Sequence, residues 1–251
     1  MVEKQPTIKY EFKKVIQIKM KTYRKTILIL SLMATSVNLF AEDENGFNTD
    51  VNIDVISTYV WRGQKLDDAA AQPSLTVSYR GLSLNAWGSA SLVGTGYKEF
   101  DLTLAYTIGG FTAQVCDYWC ADDDTKYFEY SADSTIHTFE AGVAYDFGKL
   151  SIGWCSNFYG AIGTKENGDD TYSSYFEIAA PFKFGGLEWQ AALGVTPWEN
   201  DYYGADGFAI INCSLMATKE FELQKLTLPV FAQITANPKA NRLYFTVGVS
   251  F

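Results

Sequence analysis

The feature that most constrains this chain is a period-two alternation that recurs from Gly46 to the last residue. Twelve stretches of about ten residues alternate apolar and polar side chains, as Leu82, Ser83, Leu84 and Asn85 do in "LSLNAWGSASL". A period of two places the apolar side chains on one face of a β-strand, whereas an amphipathic helix requires a period near 3.6. The pattern therefore predicts an all-β chain of about twelve antiparallel strands.

The connections between these stretches alternate in length. Short ones such as "RG" at 80–81 and "FGK" at 147–149 alternate with longer polar ones such as 121–136 and 197–207. In an up-and-down meander, this order places the tight turns at one rim and the long loops at the other. A soluble sandwich or barrel also alternates, with its apolar face inward, but the rim asymmetry is typical of outer-membrane barrels.

Aromatic residues in the apolar phase favour the same interpretation, because they gather at strand ends. Rings with an apolar body and a polar edge favour the two interfaces of a membrane. In lipid only a closed sheet satisfies every backbone amide, so we predict a closed antiparallel transmembrane β-barrel with its apolar side chains outward. The predicted belts comprise Tyr79, Tyr106, Phe111, Tyr145, Phe147 and Phe251 near the short turns, and Tyr59, Trp61, Trp119 and Phe158 near the long loops.

The N-terminal segment has the order of a secretory signal peptide. Lys21, Arg24 and Lys25 precede the apolar run "TILILSLMATSVNLFA", which ends at the small residue Ala41 and is followed by acidic "EDENG". We predict an over-extended start and a signal helix in residues 1–41, with the start at Met20, and the barrel in 42–251. The alternative is an N-terminal anchor helix. The predicted location is the bacterial outer membrane, reached by export through the inner membrane.

The C-terminal stretch "RLYFTVGVSF" resembles the insertion signal of Gram-negative outer-membrane proteins. Its apolar phase ends on the aromatic ring of Phe251. The resemblance implies that this strand is bound by the barrel-assembly machinery and pairs with the first strand to close the wall. The signal residues are Phe245, Val247, Val249 and Phe251.

Charge and cysteine content exclude several classes. Of the 20 Lys and Arg and the 29 Asp and Glu residues, eight basic and two acidic ones lie in 1–41, which leaves residues 42–251 with a net charge of −15. Such a surface repels nucleic acid, so the predicted partners are outer-membrane lipid and small solutes. Cys116 and Cys120 lie about 13 Å apart along one strand, too far for a disulfide. With one His and no CxxC pair, we predict no metal and no cofactor, and free thiols at Cys116, Cys120, Cys155 and Cys213.

A family resemblance runs through the first strands. The stretches "STYVWRG", "QPSLTVSY", "GLSLNAWGSASL" and "KEFDLTLAY" resemble the TorF-type porins and related uncharacterised Gram-negative outer-membrane β-barrel proteins. The resemblance implies an outer-membrane barrel with a porin-like activity. The matching positions are Tyr59, Trp61, Arg62, Gly63, Pro73 and Trp87.

The polar phase of the strands predicts the lining of the lumen, with eight acidic and three basic residues. This excess favours a water-filled, cation-leaning pore. The alternative is an ion-paired plug, in which Arg62 and Arg242 neutralise carboxylates on neighbouring strands and Arg242 meets Asp50 or Asp54. A twelve-stranded barrel lies between filled and open barrels, so both remain open. The lumen-lining candidates are Asp50, Asp54, Arg62, Glu99, Asp101, Glu140, Asp146, Glu177, Glu188, Lys225 and Arg242; inward rings that would narrow the bore are Trp87, Tyr118, Tyr159, Tyr175, Phe231 and Tyr244.

The long loops hold acidic and aromatic clusters without the spacing of a calcium loop. These residues either bind a ligand at the outer rim or serve as solvated carboxylates and rings that pack neighbouring loops. The outer-loop ligand candidates are Asp122, Asp123, Asp124, Trp198, Tyr202 and Tyr203.

Two further features bear on activity and regularity. A lipid hydrolase would place a His–Ser pair at the outer rim, and His137 with Ser134 is the only candidate, but no third group orients it, so no enzyme is predicted. Pro229 predicts a bulge or irregular pairing in strand eleven, and Asp117 is an exception in an apolar phase.

The predicted function is passive diffusion of small solutes. The alternatives are a non-conducting barrel that binds a ligand or partner through its loops and, less favoured, a lipid hydrolase.

Overall fold

A computed structural model describes residues 41–42, 46–94, 96–121, 126–131, 134–164, 168–223 and 226–251. The predicted signal segment lies almost entirely outside these ranges. Ala41–Glu42 forms a two-residue strand paired with Asn48 and Thr49. No helix in the described part of the chain is both long and apolar enough to cross a membrane.

Twelve strands form a closed antiparallel wall, which confirms the predicted up-and-down barrel. Each strand pairs with the next along the chain, and the last pairs back with the first through Gly248–Ser250 and Asp54–Ile56. The strands are β1 Phe47–Ile56, β2 Ala70–Tyr79, β3 Leu82–Ser91, β4 Lys98–Ile108, β5 Phe111–Ala121, β6 His137–Asp146, β7 Ser151–Gly160, β8 Ser174–Phe184, β9 Leu187–Thr196, β10 Ala209–Leu223, β11 Leu226–Asn237 and β12 Arg242–Ser250.

The two faces of this wall are inverted relative to a soluble protein. Leu84, Leu104 and Val115 lie side by side on β3, β4 and β5, and each is between 43% and 51% exposed. Small and charged polar residues line the buried face instead. A contiguous exposed apolar surface of this kind marks contact with lipid or another apolar partner. The alternation thus places the apolar phase outward, as predicted.

The chain leaves the wall after Ile56. Tyr59–Trp61 and Gln64–Asp67 pair only with each other and form a separate two-stranded sheet, here named the inner hairpin (residues 59–67). Its turn is Arg62–Gly63, with φ of 48° and 79°, and two positive φ values suit a two-residue turn whose twist matches its strands.

The predicted positions of Tyr59 and Trp61 in the outer aromatic belt are therefore wrong. Tyr59 is only 8% exposed, and Trp61 packs among buried rings. The physical reason is length: β1 already has the ten residues that a spanning strand needs, and its continuation would project beyond the wall. Folding inward buries the rings instead.

Local irregularities change two other expectations. A bulge in β7 inserts Phe158, so both Phe158 and Tyr159 are exposed, and the inward position predicted for Tyr159 is wrong. Pro229 pairs regularly with Glu220, without the predicted irregularity. The ladder between β11 and β12 begins only at Val230, so Pro229 lies just outside it.

Candidate functional site in the barrel lumen

The best-defined polar site is an ion pair between the inner hairpin and β6. The guanidinium of Arg62 donates from Nη1 to Glu140 Oε2 over 2.5 Å and from Nη2 to Oε1 over 2.9 Å. The two side chains are 3% and 1% exposed. Nη1 also donates to the Tyr203 hydroxyl over 2.7 Å, and the Tyr118 hydroxyl donates to Glu140 Oε1 over 2.9 Å. Bidentate charge-assisted bonds of this kind combine strength with a fixed orientation.

This ion pair joins opposite sides of the barrel. In a closed wall of twelve strands, β6 lies five strands from β1 in one direction and seven in the other. The hairpin that follows β1 therefore reaches across the lumen to contact β6. At its tip, the carbonyl of Gly63 accepts a 3.0 Å bond from Asn237 Nδ2 on β11. A Cβ atom on Gly63 would overlap the backbone carbonyl of Ile211 on β10, so the tip also touches that strand.

Aromatic rings fill the space around the hairpin. Trp61 stacks on Tyr203 with centroids 6.2 Å apart, and meets Tyr118 edge-on at 5.6 Å. The Arg62 guanidinium lies 4.3 Å from the ring centroid of Trp61 and 4.7 Å from that of Tyr175, which is within cation–π range. Four of the rings that were predicted to narrow the bore are buried inside the barrel: Trp87, Tyr118, Tyr175 and Phe231.

Seven of the predicted lumen residues are buried inside the barrel. Each is less than a tenth exposed: Asp50, Asp54, Arg62, Glu99, Asp101, Glu140 and Glu177. Asp67 on the inner hairpin, 3% exposed, is an eighth that the sequence analysis missed. Among the buried side chains of the described residues, seven carboxylates therefore accompany a single guanidinium. The interior carries a marked excess of negative charge.

Some of these carboxylates have defined hydrogen-bond donors and some do not. Glu99 accepts the Tyr97 hydroxyl over 2.9 Å. Glu177 Oε2 accepts the Tyr175 hydroxyl and the Asn212 amide. The oxygens Asp101 Oδ1 and Glu177 Oε1 have no hydrogen-bond partner among the described residues. No three His, Cys, Asp or Glu side chains in the described ranges are placed to hold a metal ion.

Three of the remaining lumen candidates lie at the rims. Glu188 pairs with Lys183 at a tight turn, where both side chains are more than half exposed. Asp146 accepts the backbone N–H of Gly148 at another turn, and Arg242 is exposed opposite Asn237. Lys225 lies outside the described residues.

The predicted contact of Arg242 with Asp50 or Asp54 is wrong. Asp54 faces Ser250 where β12 pairs with β1. Because the pairing is antiparallel and uses only the C-terminal end of β12, Arg242 is carried to the opposite rim.

The outer-loop candidates divide between the lumen and the rim. Tyr203 is 4% exposed and belongs to the ring cluster around Arg62, and Tyr202 packs edge-on against Trp61. Trp198 stays at the rim, donates to the Thr171 carbonyl over 3.1 Å, and lines an open cavity of about 340 Å³. Asp122, Asp123 and Asp124 lie outside the described residues.

The loop that carries Tyr202 and Tyr203 also contains one partner of an exposed ion pair. Lys239 Nζ lies 2.6 Å from Asp206 Oδ2 and links this loop to the turn after β11. The hydrogen bond from Lys239, together with its charge, lowers the pKa of Asp206.

His137 lies between two hydrogen-bond acceptors at the outer end of β6. It is fully buried, with Nδ1 2.6 Å from Asp117 Oδ1 and Nε2 2.6 Å from the carbonyl oxygen of Tyr127. A carboxylate and a carbonyl only accept hydrogen bonds, so both ring nitrogens face protein acceptors and neither faces an open site. Ser134 donates to Glu129 instead. Asp117, the exception in an apolar phase, pairs with His137 on a neighbouring strand, so the expectation that no third group orients His137 is wrong.

The sequence contained one signal for the inner hairpin. A single strand from Phe47 through Arg62 would have 16 residues, whereas about 9–11 suffice to span a membrane. That excess, followed by Gly63, could have marked a turn after β1. Such a turn would have identified Trp61 and Asp67 as residues of a hairpin and not of a wall strand.

Comparisons with known proteins give fold similarity only. No family model and no curated protein matches the chain. A mutant of the Rh. blastica porin is 11% identical over 85% of this chain and 87% of its own, with a TM-score of 0.37. OmpF of Salmonella typhi in complex with daunomycin is 9% identical over 86% and 99%, with a TM-score of 0.36. OprD of Pseudomonas aeruginosa is 12% identical over 87% and 69%, with a TM-score of 0.32.

Proposed function

We propose that this chain is an outer-membrane, porin-like barrel through which small solutes diffuse, with a preference for cations. The observation that carries the proposal is the inverted barrel, apolar outside and acidic within. Seven buried carboxylates with one guanidinium attract cations into the lumen and repel anions. The resemblance to the TorF-type porins supports the location and the barrel fold.

The outer membrane is the location that suits this surface. Exposed rings lie near the short turns at Tyr106, Phe111, Tyr145 and Phe251, and near the long loops at Phe158. Such rings favour membrane interfaces, and a closed wall leaves few backbone groups exposed to lipid. In this proposal, a cleaved signal in residues 1–41 exports the chain, and the assembly machinery binds the last strand through Phe245, Val247, Val249 and Phe251.

A charge placed on the outward face tests the contact with lipid. We expect Leu104→Arg to reduce the free energy of folding into lipid vesicles by about 2–4 kcal/mol, because Leu104 lies near the middle of β4. The matched control is Leu226→Arg at the turn end of β11, where a charge costs about 0–1 kcal/mol. Urea titrations in vesicles measure both. Equal small effects at the two positions would argue against a lipid-facing wall.

Selectivity is tested by reversal potentials in planar bilayers under a salt gradient. We expect the wild-type protein to pass potassium in preference to chloride, and Asp101→Asn with Glu177→Gln to reduce that ratio several-fold. These carboxylates each have one oxygen without a hydrogen-bond partner among the described residues, so no protein donor offsets that part of their charge. Glu188→Gln, at an exposed turn, serves as the control and should leave the ratio unchanged. A preference for chloride would contradict the proposal.

A non-conducting barrel is the second candidate, and the hairpin across the lumen is the observation that favours it. In that case no current flows through the wild-type protein, and the outer loops around Trp198 bind a ligand or partner. Trp198→Ala separates the two functions, because it changes the rim and leaves Tyr202 and Tyr203 in the lumen: conductance should survive the change and ligand binding should not.

A further inference from the structure

The wall does not require the residues that form the inner hairpin. Ile56 on β1 pairs directly with Ala70 on β2, so the ladder between these strands is complete without residues 57–69. Two residues are enough to join antiparallel strands at such a point. The chain instead places thirteen residues between them, and most of these lie inside the barrel.

The hairpin occupies the part of the lumen through which a solute would pass. Its tip contacts β6, β10 and β11, and its Trp61 ring packs on rings from β5 and the loop after β9. The interior of a twelve-stranded barrel is wider than that of a side-chain-filled eight-stranded one. The hairpin and its ring partners lie within that additional width.

The hairpin is held by non-covalent contacts, and the polar ones converge on its tip. Arg62 is bonded to Glu140 and Tyr203, and the Gly63 carbonyl to Asn237. We infer that the inner hairpin occludes the lumen and so sets the size limit for solutes, and that the Arg62–Glu140 ion pair holds it in place. The size limit rests on the diffusion function proposed above.

A native cysteine reports on this occlusion independently of transport. Cys155 on β7 is 2% exposed and packs with Tyr175, Tyr203 and Ile211, next to the hairpin tip. Its thiol should become accessible from the lumen if the hairpin is absent. Mass spectrometry of peptides after treatment with a methanethiosulfonate reagent distinguishes Cys155 from the other cysteines.

The experiment compares the wild-type protein with a variant in which residues 59–67 are replaced by Asn–Gly, which keeps the bonds of Ser57 and Thr58 to β12 and of Ala69 to Leu92. We expect labelling of Cys155 to rise by about tenfold or more, because thiols react where reagent reaches them. Liposome swelling with sugars of increasing size should show a higher size limit for the variant. A second variant, Arg62→Gln with Glu140→Gln, keeps the hairpin but removes both charges, and should raise labelling to an intermediate rate.

The control is Lys65→Ala with Asp68→Ala, which removes an exposed ion pair of the same chain segment. It should change neither labelling nor the size limit. Unchanged Cys155 labelling in both test variants would overturn the inference, whether or not the barrel conducts. A rise in labelling with no passage of any solute through the shortened variant would overturn the diffusion function and leave the occlusion standing. If the shortened variant fails to fold, Cys155 labelling of the Arg62→Gln, Glu140→Gln variant alone tests the inference.

Discussion

Replacement of Arg62 by methionine is expected to lower the free energy of unfolding by about 3–5 kcal/mol, because it leaves a buried carboxylate without its partner. Glu140 is 1% exposed and would keep only the hydroxyl of Tyr118 among the donors described above. The cation–π contacts with Trp61 and Tyr175 would also be lost. Urea titration of the protein in lipid vesicles measures the change.

A double-mutant cycle separates the ion pair from the rest of the hairpin. We expect Arg62→Met with Glu140→Leu to recover a large part of the loss, since apolar side chains of similar volume often replace a buried ion pair without penalty. Lys183→Met removes one partner of the exposed Lys183–Glu188 pair and should change stability by no more than about 1 kcal/mol. If Arg62→Met costs no more than Lys183→Met, the buried pair does not hold the hairpin.

Gly63→Ala is expected to lower the free energy of unfolding more than the same substitution at a glycine with open space around it. Gly63 has a φ of +79°, and a Cβ atom there would overlap the backbone carbonyl of Ile211. A backbone atom of a wall strand has no rotamer by which to move aside, so the tip must retreat and weaken its bonds to Glu140 and Asn237. We expect a loss of about 1–3 kcal/mol from overpacking, in addition to the backbone strain.

Gly94→Ala is the matched control, because Gly94 has a φ of +78° and no atom within 4 Å of the position of its Cβ. The same substitution there should cost only the strain of a left-handed backbone, about 1–2 kcal/mol. The difference between the two free energies of unfolding isolates the contact between hairpin tip and wall. Equal losses would mean that Gly63 does not press against β10.

The strands themselves could be predicted from local sequence because their side chains alternate independently of partners. Leu82, Leu84 and Ala86 share the outward phase of β3 whatever strand lies beside it. Buried positions such as Asp101 and Glu177 followed from the same parity. The rule failed where an extra residue enters a strand, as at Phe158, because one inserted residue reverses the phase of Tyr159.

Arg62 was predicted to point inward from a wall strand. That strand ends six residues before Arg62. Its position depends on the inner hairpin, and its partner Glu140 lies 78 residues away in the chain. Nothing local to either residue indicates that they meet. The same holds for Tyr203, an outer-loop candidate by sequence that lies inside the lumen.

Alternation and loop order by themselves thus determined twelve strands, their outward apolar face and the acidic character of the interior, because these properties depend on parity within each strand. Only the tertiary structure decided which inward groups touch and what occupies the lumen. Those contacts depend on the closure of β12 onto β1 and on the turn at Arg62–Gly63, which bring together side chains from strands on opposite sides of the wall.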